Sequence, residues 1–369
     1  MADILFATYD GGGNLPPALG IARVLQSRGH RVRLLGQESQ REQLADFEFR
    51  AYDHAPAWSP VVAPGVRSTI ALLGVLTSTG MGRDLLAMLD EDPADVVVID
   101  VALLGVLAAV RQAGVRYIAL VHAFFAWFDG AFARGPIGTL ARLRGLNART
   151  LWNAADLVVV CSDRELDPAG EREVPANVVW SGAVSDAPTD RADRADLAPS
   201  RRVLVSFSTL AFAGQRRILQ KVLDAVAGLD IEVVVTTGPS LDPADLDAPD
   251  NATVHRYLPH NELMPGCAAV IGHGGHATTF RALAYDLPVL VIPINPLADQ
   301  AMVGNAIAKA GAGLLLSRSA RRRRIRGALT ELLDVPSHRQ AAASIGARVR
   351  ETDGAVRGAD RILEAAEEA

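Results

Sequence analysis

The residues with the most chemistry in this chain stand between Val270 and Gln300, in the order V-I-G-H-G-G-H-A-T-T-F-R-A-L-A-Y-D-L-P-V-L-V-I-P-I-N-P-L-A-D-Q. An apolar strand, Ala268 to Ile271, runs into a turn of Gly272, His273, Gly274 and Gly275, and a helix opens near His276. Glycines let a ligand come close to the backbone. The N–H groups that open a helix have no partner inside it, so that end favours an anion. Thr278 and Thr279 add hydroxyl donors in the first turn, and the imidazole of His273 stands where it meets the same anion. Phe280, Leu283, Ala284 and Leu287 recur at helical spacing, Pro288 ends the helix, and Val289 to Ile292 is a further buried strand.

A second set of polar groups lies in the first half. Asp10, Asp100 and His122 each fall at or just past the end of an apolar strand: Ile4 to Thr8, Val96 to Ile99, and Arg116 to Val121. Open α/β sheets bind ligands along the carboxyl edge of their strands, which is where these three would meet. The elements that must position them alternate. A helix begins in the loop Tyr9 to Pro17 and runs to about Arg28, with Gly29 as its cap and Arg31 to Leu35 as the next strand. Phe47 to Tyr52 reads as a strand, Pro56 to Gly82 shows no clean period, and Gly135 to Ala154 reads as helical with a basic face. The alternation restarts with a strand at Arg202 to Phe207, a helix at Gln215 to Ala227 and a strand at Glu232 to Thr236. Two parallel, doubly wound sheets follow. Between them Asp186 to Ser200 is polar, proline-bearing and aperiodic. It marks the boundary between an N-terminal domain (1–190), a linker (191–200), a C-terminal domain (201–350) and a terminal helix (351–369).

Composition narrows the function classes. A chain of 369 residues is sized for about two domains. It is 49% hydrophobic and 21% charged, which is globular. A net charge of −5 and a pI near 5.9 argue against general binding to nucleic acid or anionic membrane. The run Arg321 to Arg326 is followed by Leu329, Leu332 and Leu333 at helical spacing, so its arginines coat an amphipathic helix. Cys161 and Cys267 are the only cysteines, which fits a reduced cytoplasm and gives no zinc framework. The apolar run Val96 to Val110 is too short to span a bilayer, so no integral membrane segment is expected. Gly11 to Pro16 lacks the spacing of a dinucleotide-binding loop.

His273-Gly274-Gly275, then Thr278-Thr279, then Asp299-Gln300 resemble the nucleotide-sugar signature of family-one GT-B glycosyltransferases of the bacterial natural-product type. Tyr257-Leu258-Pro259-His260 resembles that family's nucleobase loop, and Ser206-Phe207-Ser208-Thr209 its donor-side loop. The resemblance implies two Rossmann-like domains facing across a cleft, with a C-terminal helix crossing back to the N-terminal domain. It implies that His273, Gly274, Gly275, Thr278 and Thr279 hold a diphosphate, Asp299 and Gln300 bind sugar hydroxyls, and Ser208, Thr209, Tyr257 and Leu258 complete the donor site. No metal and no cofactor is implied, the nucleotide diphosphate sugar being a co-substrate. The reaction implied is inverting transfer of a hexose or deoxyhexose to a hydrophobic small-molecule acceptor such as a polyketide, macrolide or phenolic.

Three residues depart from the family's pattern, the simplest being Ser208, which stands where the family usually has Gly in the donor loop. The usual base is a His in the first loop, and here that position is Asn14, whose amide cannot take a proton. Asn14 is expected to cap the helix after it and to touch the acceptor. Asp10 is the favoured replacement base, with Asp100 and His122 as rivals. Arg281 stands where other members carry a ribose-binding acid, which leaves the nucleobase open between uridine and deoxythymidine. Phe124, Phe125, Trp127 and Phe128 form an aromatic cluster that reads either as core or as a wall for a large apolar acceptor. Competing readings are a lipid-linked sugar transferase, a nucleotide-sugar epimerase, or a donor-binding auxiliary protein without catalysis. A homodimer is compatible with all of them.

Overall fold

Runs of Val, Ile and Leu that are apolar on both faces suit strands covered on both sides, and the chain uses them that way. In the computed structural model, which describes residues 1–61, 65–187 and 201–367, these runs make two parallel sheets. The expected linker, 191–200, lies outside the described residues. The first sheet contains β1 (Asp3–Ala7), β2 (Arg31–Gly36), β3 (Glu48–Ala51), β4 (Val96–Asp100), β5 (Ile118–Val121), β6 (Leu157–Val160) and β7 (Val178–Trp180), in the order β3-β2-β1-β4-β5-β6-β7. The second contains β8 (Arg202–Ser206), β9 (Glu232–Thr236), β10 (Ala252–His255), β11 (Cys267–Gly272), β12 (Val289–Val291) and β13 (Gly313–Leu315), in the order β10-β9-β8-β11-β12-β13.

Each order reverses once. The chain steps outward from β1 to β3 and returns to the other side of β1 as β4; it does the same from β8 through β10 to β11. Ile4 therefore has Val32 on one side and Val96 on the other. At such a reversal the connections leave on opposite faces of the sheet and open a crevice at the carboxyl edge.

The two sheets belong to separate compact units. The first joins Met1–Pro60 and Gly65–Val184 to the chain's last segment, Asp353–Ala369, and the second is built mainly from Ser185–Thr352. The helix Leu15–Ser27 covers the first sheet with Ala18, Ile21, Ala22 and Leu25, and Gly29 at φ +83° ends it. The stretch without a clean period holds the helix Val66–Leu76 and the first turn of another, Thr79–Glu91. Their packing depends on glycine as much as on an apolar stripe, which hides the period. A Cβ on Gly82 would lie 2.4 Å from the Cβ of Ala109, and one on Gly105 would lie 2.5 Å from the Ser78 backbone. Residues Arg67–Glu91 together have the length and hydropathy of a membrane span. The stretch is broken where Ser78 accepts a hydrogen bond from the Met81 N–H and starts a new helix. Its two pieces, of 11 and 13 residues, each fall short of the ~20 a bilayer needs.

The basic run behaves as its periodicity requires. The helix Arg322–Asp334 buries Ile325, Ala328, Leu329 and Leu332, and Arg321 to Arg324 are exposed.

The helix Pro336–Thr352 closes the second unit, the chain turns at Asp353 (φ 40°), and Gly354–Glu367 returns to the first unit as the expected crossing helix. Ala359 and Ile362, both fully buried, enter the same core as Ile21 and Leu25. Gly358 admits the close approach, since a Cβ there would meet Ile21 Cδ1 at 2.6 Å, and Arg28 pairs with Asp360 at 2.7 Å. Truncating Ile362 to Ala leaves a cavity beneath this helix and costs about 2–5 kcal/mol. Urea denaturation should show that loss in the first unit's transition, and a loss under 1 kcal/mol would mean that the helix is not integral to that core.

Candidate active site

In the second unit the crevice lies between β8 and β11, where Ser206 stands opposite Gly272. Past those strand ends, Phe207 stacks on His273 with centroids 6.3 Å apart and planes inclined by 28°. Gly274 has φ +90°, and a Cβ there would sit 2.6 Å from the Gln300 carbonyl oxygen, so the turn requires glycine. A Cβ on Gly275 would lie 2.6 Å from His273 Nε2. The imidazole therefore lies over the opening of the helix His276–Ala284. Its Nδ1 is buried and has no hydrogen-bond partner among the described residues. Burial pushes its pKa down to about 4, against a weaker upward pull from Asp299. At neutral pH His273 thus offers an uncharged ring, and the helix opening supplies the positive potential.

The other expected donor-side residues divide. Thr278 is half-buried in the first turn, whereas Thr279 is 2% exposed and packs inward, because it starts the next turn on the core side. The carboxylate of Asp299 lies 2.6 Å from His276 Nε2. Gln300 is 3% exposed, and its Oε1 accepts from the N–H groups of Ile294 and Asn295, both at 2.8 Å, so its carbonyl holds the loop. Ser208 is buried and accepts from the Leu210 N–H, Thr209 is exposed, Leu258 is half-buried, and Tyr257 is 76% exposed. His260, next to that tyrosine loop, lies 3.2 Å from the Thr236 hydroxyl, and burial and the Arg281 charge lower its pKa to about 4. Arg281 is paired with Asp186 at 2.6 Å.

In the first unit the crevice lies between β1 and β4, and it gathers three of the four expected catalytic residues. Asn14, 2% exposed, donates from Nδ2 to Asp100 Oδ2 and to the Tyr9 carbonyl, each at 3.0 Å. Asp100 Oδ1 accepts from the Ala102 N–H at 2.9 Å. His122 Nδ1 lies 3.1 Å from the same Oδ2 but out of line for a good hydrogen bond, and its ring packs edge-on against Phe128. Asp100 thus joins an amide on one strand loop to an imidazole on the next.

Asn14 does not cap its helix. Its backbone is already helical (φ −80°, ψ −26°) and its side chain takes no helix N–H, because a capping acceptor needs an extended residue and the Asp100 carboxylate claims the amide. Asp10 stands apart from the group. Its N–H donates to Gln37 Oε1 at 2.9 Å and its carboxylate accepts from the Ser39 hydroxyl at 2.7 Å. The aromatic cluster is core: Phe124, Phe125 and Phe128 are each no more than 4% exposed, and only Trp127 is half-buried. Phe128 and Phe132 pack on Trp152, which fixes the ring beside His122 from behind.

Two features escape the sequence. Tyr9 and Tyr52 are buried phenols whose pKa burial raises, with Asp100 adding to the rise. His54 pairs through Nδ1 with the buried Asp84 at 2.5 Å. His54 follows β3 at the same sheet edge as the other polar groups, which was a usable signal, but Asp84 lies on the helix Thr79–Glu91, just past the stretch without a period.

Two parallel sheets, each with polar groups at its single reversal, are the architecture of GT-B glycosyltransferases. Residues 13–180 match the family described as glycosyl transferase 4-like domain, and residues 220–352 match erythromycin biosynthesis protein CIII-like, C-terminal domain. The chain accordingly has the GT-B fold and is a glycosyltransferase. The uncharacterized UDP-glucosyltransferase YojK of Bacillus subtilis (strain 168) is 24% identical over 99% of this chain and 98% of its own. The crystal structure of CalG4, the calicheamicin glycosyltransferase, superposes with a TM-score of 0.77 at 21% identity, covering 99% of this chain and 98% of that one. The glycosyltransferase VinC in complex with DTDP gives a TM-score of 0.71 at 18% identity, covering 100% of both chains.

The two depressed histidines set a pH dependence. His260 and His273 have folded pKa values of about 4 against an unfolded value of about 6.5. Between those values the unfolded chain binds more protons, so their contribution to stability is lost as pH falls from about 6.5 to about 4. Urea midpoints at pH 7 and pH 5 measure it, and replacing both residues by Gln should flatten the dependence in that window.

Proposed function

We propose that this chain is an inverting, metal-independent glycosyltransferase that moves a hexose or deoxyhexose from a nucleotide diphosphate sugar to a hydrophobic small-molecule acceptor. The observation that carries the reading is the His273 ring, whose Nε2 lies over Gly275 at the start of the helix His276–Ala284. A diphosphate oxygen placed there would accept from the ring and from the N–H groups that open the helix. The names of two similar proteins support the same ligand chemistry: YojK is a UDP-glucosyltransferase, and VinC is described in complex with DTDP. Among the described residues, no three His, Cys, Asp or Glu side chains stand together as a metal site. In this reading the helix start and His273 take up the charge that develops on the leaving diphosphate.

His122, held against Asp100, is the base we assign. The acceptor hydroxyl gives its proton to the imidazole as its oxygen bonds to the anomeric carbon. On the opposite face the bond from that carbon to the diphosphate oxygen breaks, and the nucleoside diphosphate leaves with the electron pair. Asp100, 3.1 Å from Nδ1, offsets the charge the ring gains, and Phe128 packs edge-on against that ring. Asn14 holds the other side of that carboxylate. Asp10 is bound to Ser39, so the role passes from the acid favoured by loop position to the histidine favoured by geometry.

Two substitutions test the halves separately. His273→Ala should weaken binding of UDP or dTDP and cost about 2–4 kcal/mol in transition-state terms. Unchanged nucleotide affinity in calorimetry would remove the donor site from this place. His122→Ala should lower kcat by about 10²–10⁴-fold with nucleotide affinity intact, while Asp10→Asn stays near wild type. The reverse pattern would return the base to Asp10.

A further inference from the structure

Asp299 is expected to hold sugar hydroxyls, yet it already has a partner. His276 is the first residue of its helix and Asp299 the residue just before the helix Gln300–Lys309. Their side chains are 9% and 13% exposed, and His276 Nε2 lies 2.6 Å from Asp299 Oδ2. Both ends of this contact are fixed. The His276 ring packs on Phe280 with centroids 5.4 Å apart, and the Asp299 carbonyl accepts from the Val303 N–H at 2.9 Å. The carboxylate makes no capping bond to its own helix, so its partner is the imidazole.

A carboxylate has two oxygens, and a sugar that offers two adjacent hydroxyls can engage both. We propose that His276 is a specificity-determining residue: by taking one acceptor site of Asp299 and fixing the orientation of the carboxylate, it leaves the acid to read a single sugar hydroxyl. The hydrogen bond also spreads the charge of Asp299, which acts on His273 and so lies close to the proposed diphosphate position. The inference rests on the donor reading given above, in which Asp299 faces the sugar. Within that reading it makes His276 the residue that decides how many hydroxyls count.

The experiment compares free nucleotide with nucleotide sugars that differ by one hydroxyl. Calorimetry gives the affinity of UDP or dTDP, whichever binds more tightly, and of that nucleotide carrying glucose, 3-deoxyglucose or 4-deoxyglucose. In the wild type, removing one of the two hydroxyls should weaken binding about 10-fold and removing the other should change it less than about 2-fold, since a hydrogen bond to a charged group is lost in one case only. His276→Phe keeps a ring against Phe280 but has no N–H, so each deoxy sugar should then lose about 10-fold relative to glucose. His276→Gln restores an N–H donor and should return the wild-type pattern. Free nucleotide should bind all three proteins alike. Equal loss for both deoxy sugars in the wild type, loss for neither, or an unaltered pattern in His276→Phe would each overturn the inference. A fall in free-nucleotide affinity that matches the fall for the sugars would make His276 structural. A wild-type protein that binds no nucleotide at all would instead fail at the donor reading, and the inference would go with it.

Discussion

A parallel sheet has to bury both faces, because every crossover between its strands lies on one of them. That constraint governs the whole molecule. Once helices cover both faces of β1–β7 and of β8–β13, polar side chains have room only at the strand ends. The single reversal in each strand order then selects one gap along the carboxyl edge. Asn14, Asp100 and His122 collect at the first gap, and Phe207, His273 and the helix start at the second. The same rule applied twice yields two half-sites of different character. One is built from side chains that exchange protons and hydrogen bonds, the other largely from backbone.

The backbone half is the less forgiving. Gly274 is held against the Gln300 carbonyl, and Gly275 lies directly under the His273 ring, so neither position tolerates a side chain without moving a neighbour. Gln300 in turn holds the loop that precedes it. The turn, the ring and the next helix therefore form one rigid unit around the helix opening. Rigid placement of dipoles is what makes such an opening effective, because nothing must reorganise when charge arrives.

Much of this was legible in the residues. The apolar strands and the glycine turn at Gly274 leave local signatures in pattern and composition, and the return of the last helix was expected from the family resemblance alone. What the chain hid were contacts between distant segments. Asn14 reads as a helix cap because local rules favour it, but Asp100, 86 residues away, takes its amide. Phe124, Phe125 and Phe128 read equally as wall or core, and only their burial, with Phe128 against Trp152, makes them core. The helix Thr79–Glu91 was hard to see because part of its packing runs through glycine contacts, which carry no hydrophobic period. Asp299 and His276 were each visible in the sequence, but their pairing was not.

The return of Gly354–Glu367 to the first unit has a consequence for how the protein is made. Ala359 and Ile362 complete a core whose other members are encoded from Ile4 onward. Synthesis runs from the N-terminus, and domains elsewhere commonly fold as they emerge. Here the first unit remains open through translation of the entire second unit, because Ala359 and Ile362 are encoded after it. The second unit, nearly continuous in sequence, can be finished first. The first unit's core is thus closed by the segment made last, whereas the second unit is made in nearly one piece.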